Sequence, residues 1–177
     1  IPKYTEAVTG QVEGIVIGIN EDFFFDNIDS EVERHVRKGI KTLEDMGARV
    51  KPVNIPEIEN ALYAQMITIT AEASAIHHKN LQSRPDDFGD DVRMLLELGE
   101  IPSAVDYLQA QQIRQRLSVS MKNVLDEVDV LVSPTSPFTP FSIADKQAYI
   151  NGEKVHFMEH VSRLTRPANI TGIPAIS

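Results

Sequence analysis

Val12-Glu-Gly-Ile-Val-Ile-Gly-Ile19 gathers β-branched residues into one short run, the composition of a mostly buried strand. Behind it, Ser30 and Glu33 have the spacing of a capping box. Val32, Val36, Ile40 and Leu43 then recur at helical intervals until Gly47 stops the run. Residues 49–55 alternate up to Pro56 and read as a second strand. Strand, helix and strand in so short a stretch make a βαβ unit, which favours a parallel pair. The chain is therefore predicted to be α/β, with a sheet that starts here.

Outward from this unit the pattern changes. The Glu21-Asp-Phe-Phe-Phe-Asp26 segment has no glycine and several acids, so Gly14 and Gly18 do not begin a phosphate loop. Phe23, Phe24 and Phe25 read as a hydrophobic plug at a sheet edge or interface. The middle of the chain is helix-rich. Residues 57–80 carry a broad apolar face with many small side chains, including Ala71, Ala73, Ser74 and Ala75. A polar break at Ser83-Arg-Pro-Asp-Asp87 separates them from a short amphipathic helix over 90–98. After Gly99 and Pro102 a long helix is expected over 103–128, with Tyr107, Ala110, Leu117, Met121, Val124 and Val128 mostly in three- and four-residue steps.

Asp129-Val-Leu-Val-Ser-Pro-Thr-Ser-Pro137 returns to strand and leaves through a proline-stiffened loop. Ala148-Tyr-Ile-Asn-Gly-Glu-Lys-Val155 reads as a hairpin turning on Asn151-Gly152. A short helix is expected over 156–165, ended by Pro167, and Ile173-Pro-Ala-Ile-Ser177 reads as the start of another strand. A strand beginning there suggests a piece of something larger.

Composition narrows the classes. The 177 residues suit one domain, and 42% hydrophobic with 24% charged content fits neither a disordered nor a membrane-spanning chain. Apolar runs are short and broken by charge, and the opening Ile1-Pro-Lys-Tyr-Thr-Glu6 is unlike a signal peptide. A net charge of -9 with scattered basic residues argues against direct nucleic-acid binding. With no cysteine there is no disulfide, thiolate nucleophile or Cys-ligated zinc, and a cytoplasmic location is compatible.

Several constellations have stronger ordinary readings. His156-Phe-Met-Glu-His160 has the H-x-x-E-H spacing of a zinc helix, but no acid follows Glu159 and no histidine follows His160 to complete the site. His77 and His78 near Glu72 read as a surface pair beside Lys79, and His35 sits between Arg34 and Arg37 on a solvated face. Ser118, Ser120 and Lys122 do not have Ser-x-x-Lys spacing. Two segments are left, each readable as a pocket wall or as a plain surface turn. Thr135 and Ser136 lie on the rigid strand exit, and Asn169, Thr171 and Gly172 offer an amide, a hydroxyl and a glycine close together.

Taken in order, these segments resemble the C-terminal part of the amidase signature family. The resemblance is carried by the Val12–Ile19 stretch, Phe24-Phe-Asp26, Asp29-Ser-Glu-Val32 and Leu43-Glu-Asp-Met-Gly-Ala48. It continues through Glu72-Ala-Ser74, Gly99-Glu-Ile-Pro-Ser-Ala-Val-Asp-Tyr107 and Arg114-Gln-Arg116. Its most specific pieces are the Asp129–Pro137 stretch and Pro167-Ala-Asn-Ile-Thr-Gly-Ile-Pro-Ala-Ile-Ser177. The resemblance implies an α/β fold around a mixed sheet flanked by helices. It implies hydrolysis of a small-molecule carboxamide to an acid and ammonia or an amine, with no cofactor and no metal. The family's Ser, cis-Ser, Lys triad would lie upstream, so no catalytic residue is expected in this chain. Residues 1–177 are then expected to form a single domain, a C-terminal fragment of a larger amidase domain and inactive alone. Thr135, Ser136, Asn169, Thr171 and Gly172 are its expected substrate-pocket residues. A homo-oligomer stays open.

The family's glutamyl-tRNA amidotransferase A subunits carry an Arg-rich step where this chain reads Val92-Arg-Met-Leu-Leu-Glu-Leu-Gly99, and an acid near Ser162. Both departures favour a general amidase, unless Arg93 supplies the missing charge. A non-catalytic binding module is the competing class.

Overall fold

The computed structural model describes residues 3–142 and 147–177. Ile1 and Pro2 of the opening hexapeptide lie outside the described residues. The chain forms two compact units, residues 1–54 with 123–164 and residues 55–122 with 165–177. Each is taken by itself.

In the first unit, β1 (Val16–Ile19) lies between β2 (Arg49–Pro52) and β3 (Val130–Leu131), parallel to both. Ile17 faces Val50 on one side and Val130 on the other. The βαβ reading therefore holds, with a shorter first strand. Residues 12–15 turn into the strand: Ile15 N–H donates to the Val12 carbonyl, Gly14 N–H to the Gly47 carbonyl, and the Ile15 carbonyl accepts from Arg49 N–H. Asp129 fastens β3 in place, because its N–H donates to Val16 O at 2.9 Å and its Oδ2 accepts from Val16 N at 2.8 Å. Ile17, Ile19, Ile40 and Ala48 form the buried core beside this sheet.

Helix α2 (Ser30–Asp45) runs between β1 and β2 and supplies Ile40 to that core. Its cap is Asp29, whose carboxylate accepts from Glu31 N at 3.0 Å. The expected Ser30–Glu33 capping box is thus corrected by one position. Glu33 is used elsewhere, accepting from Arg37 Nε at 2.8 Å. Arg37 also grips both oxygens of Glu21, at 3.0 and 2.7 Å, and lies over the Phe25 ring. That pairing holds the Glu21 carboxyl below its ordinary value. Glu21 opens α1 (Glu21–Phe24), whose Phe23 and Phe24 are buried, edge to face.

The predicted hairpin is present as β4 (Ala148–Ile150) and β5 (Glu153–Val155), antiparallel. Asn151 and Gly152 both have positive φ, 50° and 85°, as a two-residue turn of this kind needs. Asn151 Oδ1 accepts from Ser30 N, its N–H donates to Asp29, and its Nδ2 donates to Ile28 O. The helix expected over 156–165 is limited to α6 (Phe157–His160), followed by turns. There Arg163 donates to the carbonyls of Phe23, Asp26 and Asn27.

The second unit is helical. It holds α3 (Ala61–Ser83), α4 (Asp90–Leu98), most of α5 (Ala104–Leu125) and α7 (Arg166–Thr171). Helix α3 packs on α4 and α7. Its start is later than expected because Glu57 takes a left-handed conformation (φ 64°) and Ile58–Asn60 form a 3-10 turn. Arg116 Nε donates to both Glu57 oxygens at 2.9 Å. Pro167 does not end a helix, as the sequence reading has it. It sits in the first turn of α7, where a missing N–H costs nothing and a fixed φ helps. Gly172, at φ 74°, is the left-handed cap of that helix. Residues 173–177 are not strand, since no chain is paired with them among the described residues.

Candidate functional site

A polar groove of about 270 Å³ in the second unit is lined by Gln65, Thr68, Ile69, Glu72, Arg114, Asn169 and Ile170. Helical spacing explains it. Thr68 and Glu72 are one turn apart on α3, and Tyr107, Gln111 and Arg114 follow at steps of four and three on α5. The side chains pair in two sets, Tyr107 with Glu72, and Thr68 with Gln111, Arg114 and the Ile170 carbonyl. Tyr107 donates to Glu72 Oε1 at 2.8 Å, and Gln111 Nε2 donates to Thr68 Oγ1 at 2.8 Å. Arg114 Nη1 donates to Gln111 Oε1, and Arg114 Nε to the Ile170 carbonyl at 2.8 Å. The hydrogen bond to Glu72 raises the Tyr107 phenol above its ordinary value, so it remains a donor through neutral pH.

The groove thus offers a cation and a carboxylate, each held by its own hydrogen bonds, beside the Asn169 amide. Such a surface can orient a small polar molecule. Arg114 is also a strut, since it hooks α7 to α5. Arg114→Met is expected to cost about 2 kcal/mol, the scale of a hydrogen bond from a charged group. Urea unfolding would read this, together with faster amide exchange over Asn169–Gly172.

The five residues expected from the sequence fare differently. Asn169 is exposed and lines the groove. Thr171 Oγ1 bonds back to the Pro167 carbonyl at 2.6 Å, and Gly172 closes α7. In the first unit, Ser136 Oγ is turned into its own loop, donating to Phe138 O and accepting from Phe138 N. Thr135 is exposed between the fully buried Pro134 and Pro137. Sequence reasoning did not nominate Gln111 or Tyr107 for the groove, weighed Glu72 only beside His77 and His78, and used Arg114 only as a motif letter. Their four- and three-residue steps were the available signal.

The other constellations resolve into local pairings. His78 Nδ1 is 2.9 Å from Glu100 Oε1 and its Nε2 is 3.0 Å from Gln82, beside a second depression formed with Ala71, Ser74, Ala75 and Gly99. His77 meets Phe88 edge to face. Glu72 is taken by Tyr107, so no His–Glu72 pair forms. Ser118 bonds back to the Arg114 carbonyl. His156 precedes α6 and His160 ends it, and among the described residues no three His, Cys, Asp or Glu side chains cluster as a metal would require. Arg93 is engaged by Asp86 at 3.2 Å and Asp90 at 2.9 Å.

Comparison with known proteins follows the same lines. Residues 1–177 match the family model described as Amidase. An amidase of Pseudomonas putida is 33% identical over 186 residues, covering 100% of this chain and 38% of that protein. The A subunit of the glutamyl-tRNA(Gln) amidotransferase of Clostridium botulinum is 33% identical over 201 residues, covering 100% and 40%. A crystal structure of an amidase superposes with a TM-score of 0.83 at 25% identity, covering 90% of this chain and 37% of its own. The chain thus spans about two fifths of the length of the curated relatives it matches.

Proposed function

The chain belongs to the amidase signature family, and from that premise we propose that it is the C-terminal part of a hydrolase that cleaves carboxamides to an acid and ammonia or an amine. The observation that carries this reading is the match of all 177 residues to the family, with the sequence motifs in the family's order. The nucleophile would come from an upstream Ser, cis-Ser, Lys set, acting without cofactor or metal. There the serine oxygen attacks the amide carbon, the nitrogen leaves with a proton, and water releases the acid.

In this reading the chain contributes scaffold and pocket wall. Thr135 and Ser136 in one unit, and Asn169, Thr171 and Gly172 in the other, are the proposed wall residues. Within its own unit Thr135 is the stronger candidate, being exposed where Ser136 is turned into its own loop. Within the other unit it is Asn169, being exposed and lining the groove. Arg93 bears on the substrate class. A guanidinium already held by two carboxylates is a poor receptor for a substrate carboxylate, which favours a general amidase over the tRNA-linked amidotransferase. No helix among the described residues is long and apolar enough to cross a membrane, and we place the protein in the cytoplasm.

The test is ammonia release from acetamide, benzamide and glutamine. The 177-residue chain should stay at the buffer rate, and the longer polypeptide from the same reading frame should turn over a simple amide. Turnover by the 177 residues alone, or a longer polypeptide silent on every amide, would sink the proposal.

A further inference from the structure

Helix α3 is built as an interior helix, yet it shows one face to water. From Ala61 to Ile76 its only charged residue is Glu72. Leu62, Met66, Ile69, Ala73 and Ile76 recur at steps of four, three, four and three, the spacing of a seam made for a second helix. Four of them are exposed large side chains: Leu62 43%, Met66 37%, Ile69 56% and Ile76 78%. The rest of the helix is largely occupied, with Ala61, Ala64, Thr68, Thr70, Ser74 and Leu81 buried. A surface helix normally sets charge against water there, and one that is apolar all round is buried. Beyond the seam, from His77 to Lys79, polar and charged residues return.

We infer that this seam of α3 is the seat of an apolar helical segment from the part of the amidase polypeptide outside these 177 residues. The inference rests on the reading of the chain as part of a larger amidase. What names the occupant is length: most of each matched relative lies outside the aligned region, and a contiguous apolar stripe of this extent is a docking surface by its chemistry. A helix fits because the stripe keeps the heptad spacing over four turns. Such a stripe receives the side chains of a neighbour crossing near +20°.

The chain has no cysteine, so single thiols can report on the seam. Ile69→Cys and Ile76→Cys are made in the 177-residue chain and in the longer polypeptide cleared of its own thiols. Lys79→Cys, just past the seam, is the control. Labelling by a disulfide dye is expected to be fast at all three sites in the 177-residue chain. In the longer polypeptide it should be at least tenfold slower at Ile69→Cys and Ile76→Cys and unchanged at Lys79→Cys. Equal rates at all three sites in the longer polypeptide would overturn the inference, and this comparison stands even if the shorter chain does not fold. Protection in the shorter chain that grows with its concentration would also overturn it, by making a second copy the occupant. Protected thiols with no amide turnover would count against the proposed function and leave the seam intact.

Discussion

Gly99→Ala is expected to disrupt the packing of α4 on α3, at a cost of about 3 kcal/mol or more. The position is not one where the backbone demands glycine, since its φ is -68°. On backbone grounds alone alanine would stabilise by roughly 0.4–1 kcal/mol through the unfolded chain. Sterics decide the sign. A Cβ on Gly99 would stand 2.1 Å from the Thr70 carbonyl oxygen and 2.6 Å from its carbon, with Ser74 Cβ at 2.8 Å. Two of these atoms are helical backbone, so no rotamer change relieves the overlap. Gly39 is the control. It lies inside α2, and a Cβ added there would meet nothing within 4 Å, so Gly39→Ala should stabilise by about 1 kcal/mol. Urea midpoints of the two variants should move in opposite directions. A Gly99→Ala midpoint equal to the parent's would refute the tight contact.

Ile17→Ala should be nearly as costly, at about 2–5 kcal/mol. Ile17 is 1% exposed on the central strand, and its side chain belongs to the cluster with Ile19, Ile40 and Ala48. Truncation removes its transfer energy and leaves a cavity that parallel strands on both sides cannot close. Val130 makes the comparison sharp. It is Ile17's partner in register on β3, yet it is 42% exposed. Val130→Ala should cost well under about 1 kcal/mol. Amide exchange over 16–19 and 49–52 would report the first loss and stay quiet for the second. Similar costs for both would mean that pairing, not burial, carries the strand.

Much of the fold was legible because its signals are local. The 90–98 helix has matching boundaries, since Gly89 and Gly99 flank a short amphipathic run. The parallel pair followed from strand, helix and strand in sequence, and the hairpin from Asn151-Gly152. The errors arose where two residues competed for one role. Asp29 and Ser30 are both good caps, and the carboxylate won. Pro167 can stop a helix or start one, and nothing nearby in the sequence decides between them. The groove was the least legible part. Arg114 meets Ile170 across 56 residues of chain, a distance over which no periodicity speaks. Asn169 could be nominated for its chemistry, but its neighbours Glu72 and Arg114 could be found only by folding α3, α5 and α7 together.

The three hydrogen bonds of Asn151 set an order of events for the growing chain. They reach back to Ile28, Asp29 and Ser30 across more than 120 residues. Helix α2 can nucleate early on Asp29, a cap that is already beside it. Its first turn is completed only when the hairpin has been synthesised and has returned. Closing so long a loop carries an entropic cost that local helix formation does not, and contacts of high sequence separation slow folding. The Asp29–Asn151 meeting is therefore a late step, and a ribosome-bound chain halted before Tyr149 would carry α2 with its amino end unfinished.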